Sequence, residues 1–202
     1  MEATLRTTTT TLLLQRLRDA QNHAEWGEID ARYRPVFVGV GMQMGLRRDE
    51  AEEVAQESLA QFARDYLDGR YDRERGRLRA WLIGICRHRV LDAHRRRAQR
   101  GSRRGESALL NLADTNAVAE AWEEQEERVV FQRAMEELLA SYRIAPGTLR
   151  TFEMVAVKGV PAVTVAESVG ITVDEVYRVK HRVTRRLREI VAQLTVAYRT
   201  DA

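Results

Sequence analysis

Val176, Val179, Val183, Leu187, Ile190 and Leu194 step along the chain by three and four. That spacing gathers them on one face of an α-helix, whereas a strand of the same residues would scatter them over both faces of a sheet. The positions between them are cationic. From Tyr177 to Arg188 the chain carries Arg178, Lys180, Arg182, Arg185, Arg186 and Arg188 and no acid. Such cations repel one another in an isolated helix, a cost that turns to advantage where phosphates cover the surface and release their counterions. The segment therefore has to bury one face on a protein core and offer the other to an anionic partner, of which nucleic acid is the natural kind.

The residues just before it have the opposite character: from Val160 to Thr172 the only charge is Glu167. The valines there favour strands, but strict alternation is missing. Ala166, Gly170 and Val176 instead fit a helix-turn-helix, with a small residue where two helices touch, a glycine able to take positive φ at the turn, and an apolar anchor on the second helix. The same spacing fits two packed surface helices with a solvated cationic face, and the charge run favours the first reading. Thr172, followed by Asp174 and Glu175, is placed to cap the second helix and favour its positive end.

Helical periodicity extends over most of the chain. Leu13, Leu14 and Leu17 open it, a second segment runs over 24–44, and a third over 49–67 sets Val54, Leu59, Phe62 and Tyr66 on one face with Glu50, Glu52, Glu53 and Glu57 off it. A glycine-containing charged loop leads to a fourth helix over 78–97. There "RRRAQRGSRRGES" reads as the start of an exposed linker. An acidic amphipathic helix over 118–140 follows, and "APG" breaks it before short helices over 147–158, 161–169 and 173–197. The prediction is an all-α chain of two small helical domains, 12–97 and 118–197, joined by a flexible linker, 98–117. The arginines from Arg87 to Arg104 form a second cationic run, so two separate contacts with one long nucleic acid are expected.

Other functions find little purchase. The single cysteine, Cys86, cannot form an internal disulfide and reads as a buried apolar filler. No apolar run approaches the roughly 20 residues that span a bilayer, and no secretory signal is recognisable, so the expected location is the cytoplasm, away from membranes. Metal-ligand spacing, a phosphate loop and a nucleophile with its base are all missing. The chain is expected not to be an enzyme and to need no cofactor.

Three stretches in order, "DEAEEVAQESLAQFARDY", "RYDRERGRLRAWLIGICRHRVLDAHRRR" and "GVPAVTVAESVGITVDEVYRVKHRVTRRLRE", resemble the successive signatures of extracytoplasmic-function sigma factors, small members of the sigma-70 family of bacterial transcription initiation factors. The style of the acidic helix and the last signature is similar to members found in planctomycete-like bacteria. The resemblance implies a sigma domain 2-like unit over 12–97 and a sigma domain 4-like helix-turn-helix over 118–197. It also implies two partners, core RNA polymerase through its largest and second-largest subunits, and promoter DNA. An anti-sigma protein or a regulatory kinase is a further partner it allows.

Carried over by position, Glu52, Glu53, Gln56 and Glu57 would dock on a coiled coil of the largest polymerase subunit. Tyr71, Arg73, Arg75, Arg77, Arg79, Arg87, His88 and Arg89 would open and read the minus-ten element as single-stranded DNA, which needs a base pocket with aromatic or polar walls and cations along the backbone. Trp81 reads instead as a core anchor with Leu82 and Ile85. His88 stands where many relatives carry asparagine, and an imidazole does not offer an amide's paired donor and acceptor. Tyr177, Arg178, His181 and Arg182 would meet bases or nearby backbone of the minus-thirty-five element in the major groove. Lys180, Arg185, Arg186 and Arg188 are the remaining cations of that helix, and the three arginines lie where phosphate contact is expected. The competing class is a helix-turn-helix regulator that is no polymerase subunit, which would account for the last signature but not for "AEEVAQE" or "RAWLIGICRHR".

Overall fold

The computed structural model describes residues 10–17, 23–72, 76–99, 115–141 and 145–199, and every regular element among them is helical. In chain order these are α1 (Thr10–Leu17), α2 (His23–Gln43), α3 (Arg48–Leu67), α4 (Leu78–Gln99), α5 (Thr115–Ser141), α6 (Pro146–Phe152) with a π-helical turn (Glu153–Val157), α7 (Ala162–Val169) and α8 (Val173–Arg199). The all-α expectation holds.

The described residues form two compact units, Val130–Val196 and Thr8–Val129 with Ala197–Ala202. They part inside α5 rather than within the expected linker, most of which lies outside the described residues. The reason is Trp122 on the first half of α5. It is fully buried and meets Phe37 of α2 edge-on at 5.1 Å between ring centres. An aromatic of that size contributes more apolar burial than any other side chain of its helix, so α5 is anchored by it to the larger unit.

In the larger unit α2 packs on α3 and α3 on α4. Val36, Phe37, Val40, Val54, Phe62, Leu78, Leu82 and Cys86 are fully buried between them. Burial pushes the Cys86 thiol up to about 12, so it stays protonated and inert, as expected of a filler. Glycines set how closely the helices approach. A Cβ on Gly41 would lie 3.0 Å from that of Ala51 on α3, and one on Gly39 would lie 2.4 Å from Gln125 Oε1 on α5. Gln125 donates to Gln43 Oε1 at 2.6 Å in that crevice.

The smaller unit is organised about Val155, Val165, Ala166 and Val176, with Met154, Val160, Val169, Ile171 and Val173 packed against them. Gly170 ends α7 with φ 74°, and the N–H groups of Gly170 and Ile171 both bond Ala166 O, at 2.9 and 3.1 Å. This is the left-handed closure that glycine makes without a steric cost. Thr172 then opens α8 with a reciprocal cap. Glu175 N donates to Thr172 Oγ1 at 3.2 Å while Thr172 N donates to Glu175 Oε2 at 2.8 Å. The Thr172 N–H bond, with one that the Thr172 hydroxyl donates to the same oxygen at 2.9 Å, holds the Glu175 carboxyl below its ordinary range.

Candidate functional site

Glu52, Glu53 and Gln56 lie on the outer face of α3, along a groove of about 740 Å³ whose other wall is Arg34, Pro35, Val38 and Gly39 of α2. Glu52 pairs with Arg48 at 3.0 Å, both side chains well exposed. Pro35 and Val38 add an apolar strip opposite the carboxylates, so the groove is suited to an amphipathic helix with cations along one edge. Glu57 is not part of it. Its carboxylate faces α4, 3.0 Å from Arg96 Nη1 and 3.7 Å from Arg89 Nη1. The Glu57 hydrogen bond, with its charge, raises the Arg96 guanidinium above its ordinary value against the opposing effect of burial.

A second concavity, of about 240 Å³, lies at the start of α4, lined by Arg70, Tyr71, Asp72, Gly76, Arg77, Ala80 and Trp81. Tyr71 stacks on Trp81 with centroids 5.0 Å apart and planes inclined by 17°. Trp81 in turn meets Phe62 edge-on at 5.5 Å. The expectation that Trp81 is a core anchor with Leu82 and Ile85 needs correcting on this point. Leu82 and Ile85 are buried, but Trp81 is half-buried, with one side on Phe62 and the other forming pocket wall. Trp81, Gly84 and His88 follow at helical spacing, so the exposed His88 continues the stripe that begins in the pocket.

The cations expected beside this pocket divide by partner. Arg77 is exposed at its rim. Arg79 Nε donates at 3.1 Å to Glu126 of α5. Arg89 Nε donates at 3.0 Å to Gln61 Oε1 of α3. Arg87 is half-buried, and Arg73 and Arg75 lie outside the described residues.

On α8 the apolar face follows the sequence prediction except at its edge: Val176, Val183, Leu187, Ile190 and Leu194 are buried, and Val179 is half-buried. Arg178, His181, Arg182 and Arg185 are exposed and recur by three and four on the far side, with Tyr177 and Arg188 flanking them. Lys180 and Arg186 stand apart from that stripe, half-buried at the two borders of the apolar face. Arg186 Nη1 meets Glu189 Oε2 at 2.7 Å.

Residues 30–100 match the sigma-70 region 2 family. The chain is also similar to the extracytoplasmic-function RNA polymerase sigma factor RpoE of Cereibacter sphaeroides, 25% identical over 168 residues, 80% of this chain and 90% of that one. No solved structure matches.

The groove and the aromatic pocket both fall inside the sigma-70 region 2 match, which runs from the first turns of α2 to the end of α4. Sequence reasoning missed more than half of each lining. Arg34, Pro35 and Val38 belong to no recognisable motif, and the available signal was a proline in mid-helix beside an otherwise apolar run. Arg70, Asp72 and Gly76 were visible only as loop residues. The pairing of Glu126 with Arg79 and with Arg199 gave no signal at all, because those two partners lie 47 and 73 residues away.

Proposed function

We propose that this protein is an alternative sigma subunit of bacterial RNA polymerase, of the extracytoplasmic-function kind, which binds core polymerase and directs initiation at particular promoters. The observation that carries the reading is the coincidence of the sigma-70 region 2 match with a two-walled groove and an aromatic, arginine-rimmed pocket on one unit. In this reading the domain over 12–97 docks through Glu52, Glu53 and Gln56, and holds an unstacked minus-ten base at Tyr71 and Trp81 with Arg77 on the backbone. Within the domain read over 118–197, the smaller unit, Val130–Val196, sets α8 in the major groove of the minus-thirty-five element. Bond formation belongs to the polymerase.

Reconstitution with core RNA polymerase on promoter templates tests this. The expected result is stoichiometric co-purification and promoter-dependent transcripts. A chain that binds duplex DNA alone and never associates with core polymerase would instead be a helix-turn-helix regulator. Among the described residues no helix is long and apolar enough to cross a membrane.

A further inference from the structure

Glu126 lies on the first half of α5, and its side chain is 3% exposed. A buried carboxylate is tolerated only when it is paired and hydrogen-bonded, and Glu126 is both. Its Oε2 accepts from Trp122 Nε1 at 3.0 Å and from Arg79 Nε at 3.1 Å, and its Oε1 accepts from Arg199 Nε at 3.2 Å. Arg199 is placed in turn by the residues before it. Arg32, itself 3% exposed, donates through Nη1 to Ala197 O at 3.0 Å, and its guanidinium lies 5.3 Å from the centre of the buried Tyr198 ring. Tyr198 donates its hydroxyl proton to Arg32 O at 3.2 Å.

This construction occupies a cation of the nucleic-acid surface. Arg79 sits on the first turn of α4, next to the pocket residues Ala80 and Trp81, and an anionic oxygen fills the position beside its Nε that a backbone phosphate would take. We infer that Glu126 is an internal competitor for nucleic-acid phosphate, holding Arg79 until α5 is displaced, with the Ala197–Arg199 segment keeping Glu126 in place. The inference rests on the proposed sigma-subunit reading and adds a regulatory step to the same site. A chain in which the competent arrangement is a minor state binds its ligand more weakly in proportion to that minority. Release of Glu126 should therefore strengthen binding of single-stranded DNA.

Glu126→Gln tests this in the full chain. An amide still accepts from Trp122 but loses the charge that holds Arg79. Affinity for a single-stranded minus-ten oligonucleotide should rise by roughly three- to tenfold. Glu120→Gln, which makes the same change in net charge at an exposed residue of the same helix, should give less than a twofold gain, and the Glu126→Gln gain should vanish when Arg79→Ala is added. Equal effects at Glu126 and Glu120, or a gain that survives Arg79→Ala, would overturn the inference. Hydrogen exchange on the unaltered chain covers the case in which Glu126→Gln fails to fold. The amides of 115–129 should lose protection when the holoenzyme takes up the oligonucleotide, and unchanged protection would overturn the inference equally. Co-purification with core polymerase is scored separately. Its failure sinks the sigma-subunit reading, whereas normal co-purification without the Glu126→Gln gain sinks the competitor alone.

Discussion

Arg96 of α4 reaches across to Glu57 of α3 with both terminal nitrogens, Nη1 to Oε1 at 3.0 Å and Nη2 to Oε2 at 3.5 Å. Residues at 52, 53, 56 and 57 sit on successive turns, yet Glu57 faces the neighbouring helix while the other three face the groove. Helical spacing alone spreads four such residues over more than a right angle, enough to divide them between two jobs.

Charge reversal should separate those jobs. Glu53→Lys is expected to abolish co-purification with core polymerase while leaving helical content and thermal stability unchanged. Glu57→Lys is expected to act first on stability. It sets a third cation beside Arg89 and Arg96 and should cost about 1–2 kcal/mol, since the lost pair is partly solvent-screened. Circular dichroism melts and pull-downs on both variants check this, and a Glu57→Lys variant that melts normally yet loses polymerase would return Glu57 to the docking surface.

His94 predicts a pH dependence. Its side chain is buried on α4, its Nε2 lies 3.0 Å from Met44 O, and its Nδ1 is buried without a hydrogen-bond partner. A carbonyl can only accept, so Nε2 carries the proton, and burial of Nδ1 without a partner disfavours a second proton there, which makes the neutral ring the folded form. Burial holds its pKa below 6.5, helped by the charge of Arg97 and opposed by the Met44 bond and Glu50. The unfolded chain therefore takes up this proton first. The stability it contributes is complete above about pH 6.5 and is lost as the pH falls from there toward the lowered folded value. Glu50 acts in a lower window. Burial opposes ionisation there, but the Arg47 N–H bond and the charges of Arg47 and Arg97 win and hold it below 4.5, so its contribution is lost only as the pH falls through that folded value. Thermal midpoints between pH 7.5 and 5 should decline in the native chain and decline less in His94→Gln; equal slopes would refute the assignment.

Gly170 tests the turn. Nothing lies within 4 Å of where its Cβ would be, so Gly170→Ala costs only the left-handed backbone, roughly 1–2 kcal/mol. On the proposed reading, minus-thirty-five binding should weaken with little change in binding of the minus-ten strand. Fluorescence anisotropy on the two DNA elements distinguishes this from general unfolding, which would weaken both.

The contrast between Gly170 and Glu126 shows what a sequence of this kind makes legible. The turn, the Thr172 and Glu175 cap and the face of α8 are set by residues within one or two helical turns of one another, and local periodicity records them. Tyr71 on Trp81, Gly39 against Gln125, and Glu126 between Arg79 and Arg199 join residues 10 to 86 apart. Which carboxylate meets which guanidinium at such separations is decided by how helices cross, and single-residue chemistry carries no trace of that. The boundary inside α5 escaped for the same reason. Its glutamates read as one acidic face, whereas Trp122 and Glu126 are turned into the larger unit.

The last prediction concerns the cations of α8. Bases are read by side chains that reach groove edges, while phosphate contacts strengthen binding to any sequence and make it salt-sensitive. Arg178 and Arg182 are exposed near the start of the helix, just beyond the Thr172 cap, and among the described residues neither has an ion pair. Alanine at either should cost about 1–3 kcal/mol on the preferred minus-thirty-five sequence and relax the choice of base there. Arg185 lies on the same stripe further along, so Arg185→Ala should weaken binding about equally on all sequences and reduce the salt slope by roughly one unit. Arg186 makes a useful control, because it stands at the border of the apolar face and holds Glu189 at 2.7 Å. Its replacement should change the salt slope less than that of Arg185. Holoenzyme binding to a library of minus-thirty-five variants across a salt series measures all of these together. If Arg178→Ala and Arg185→Ala shift base preference and salt slope alike, α8 is a uniform cationic strip and reads no sequence.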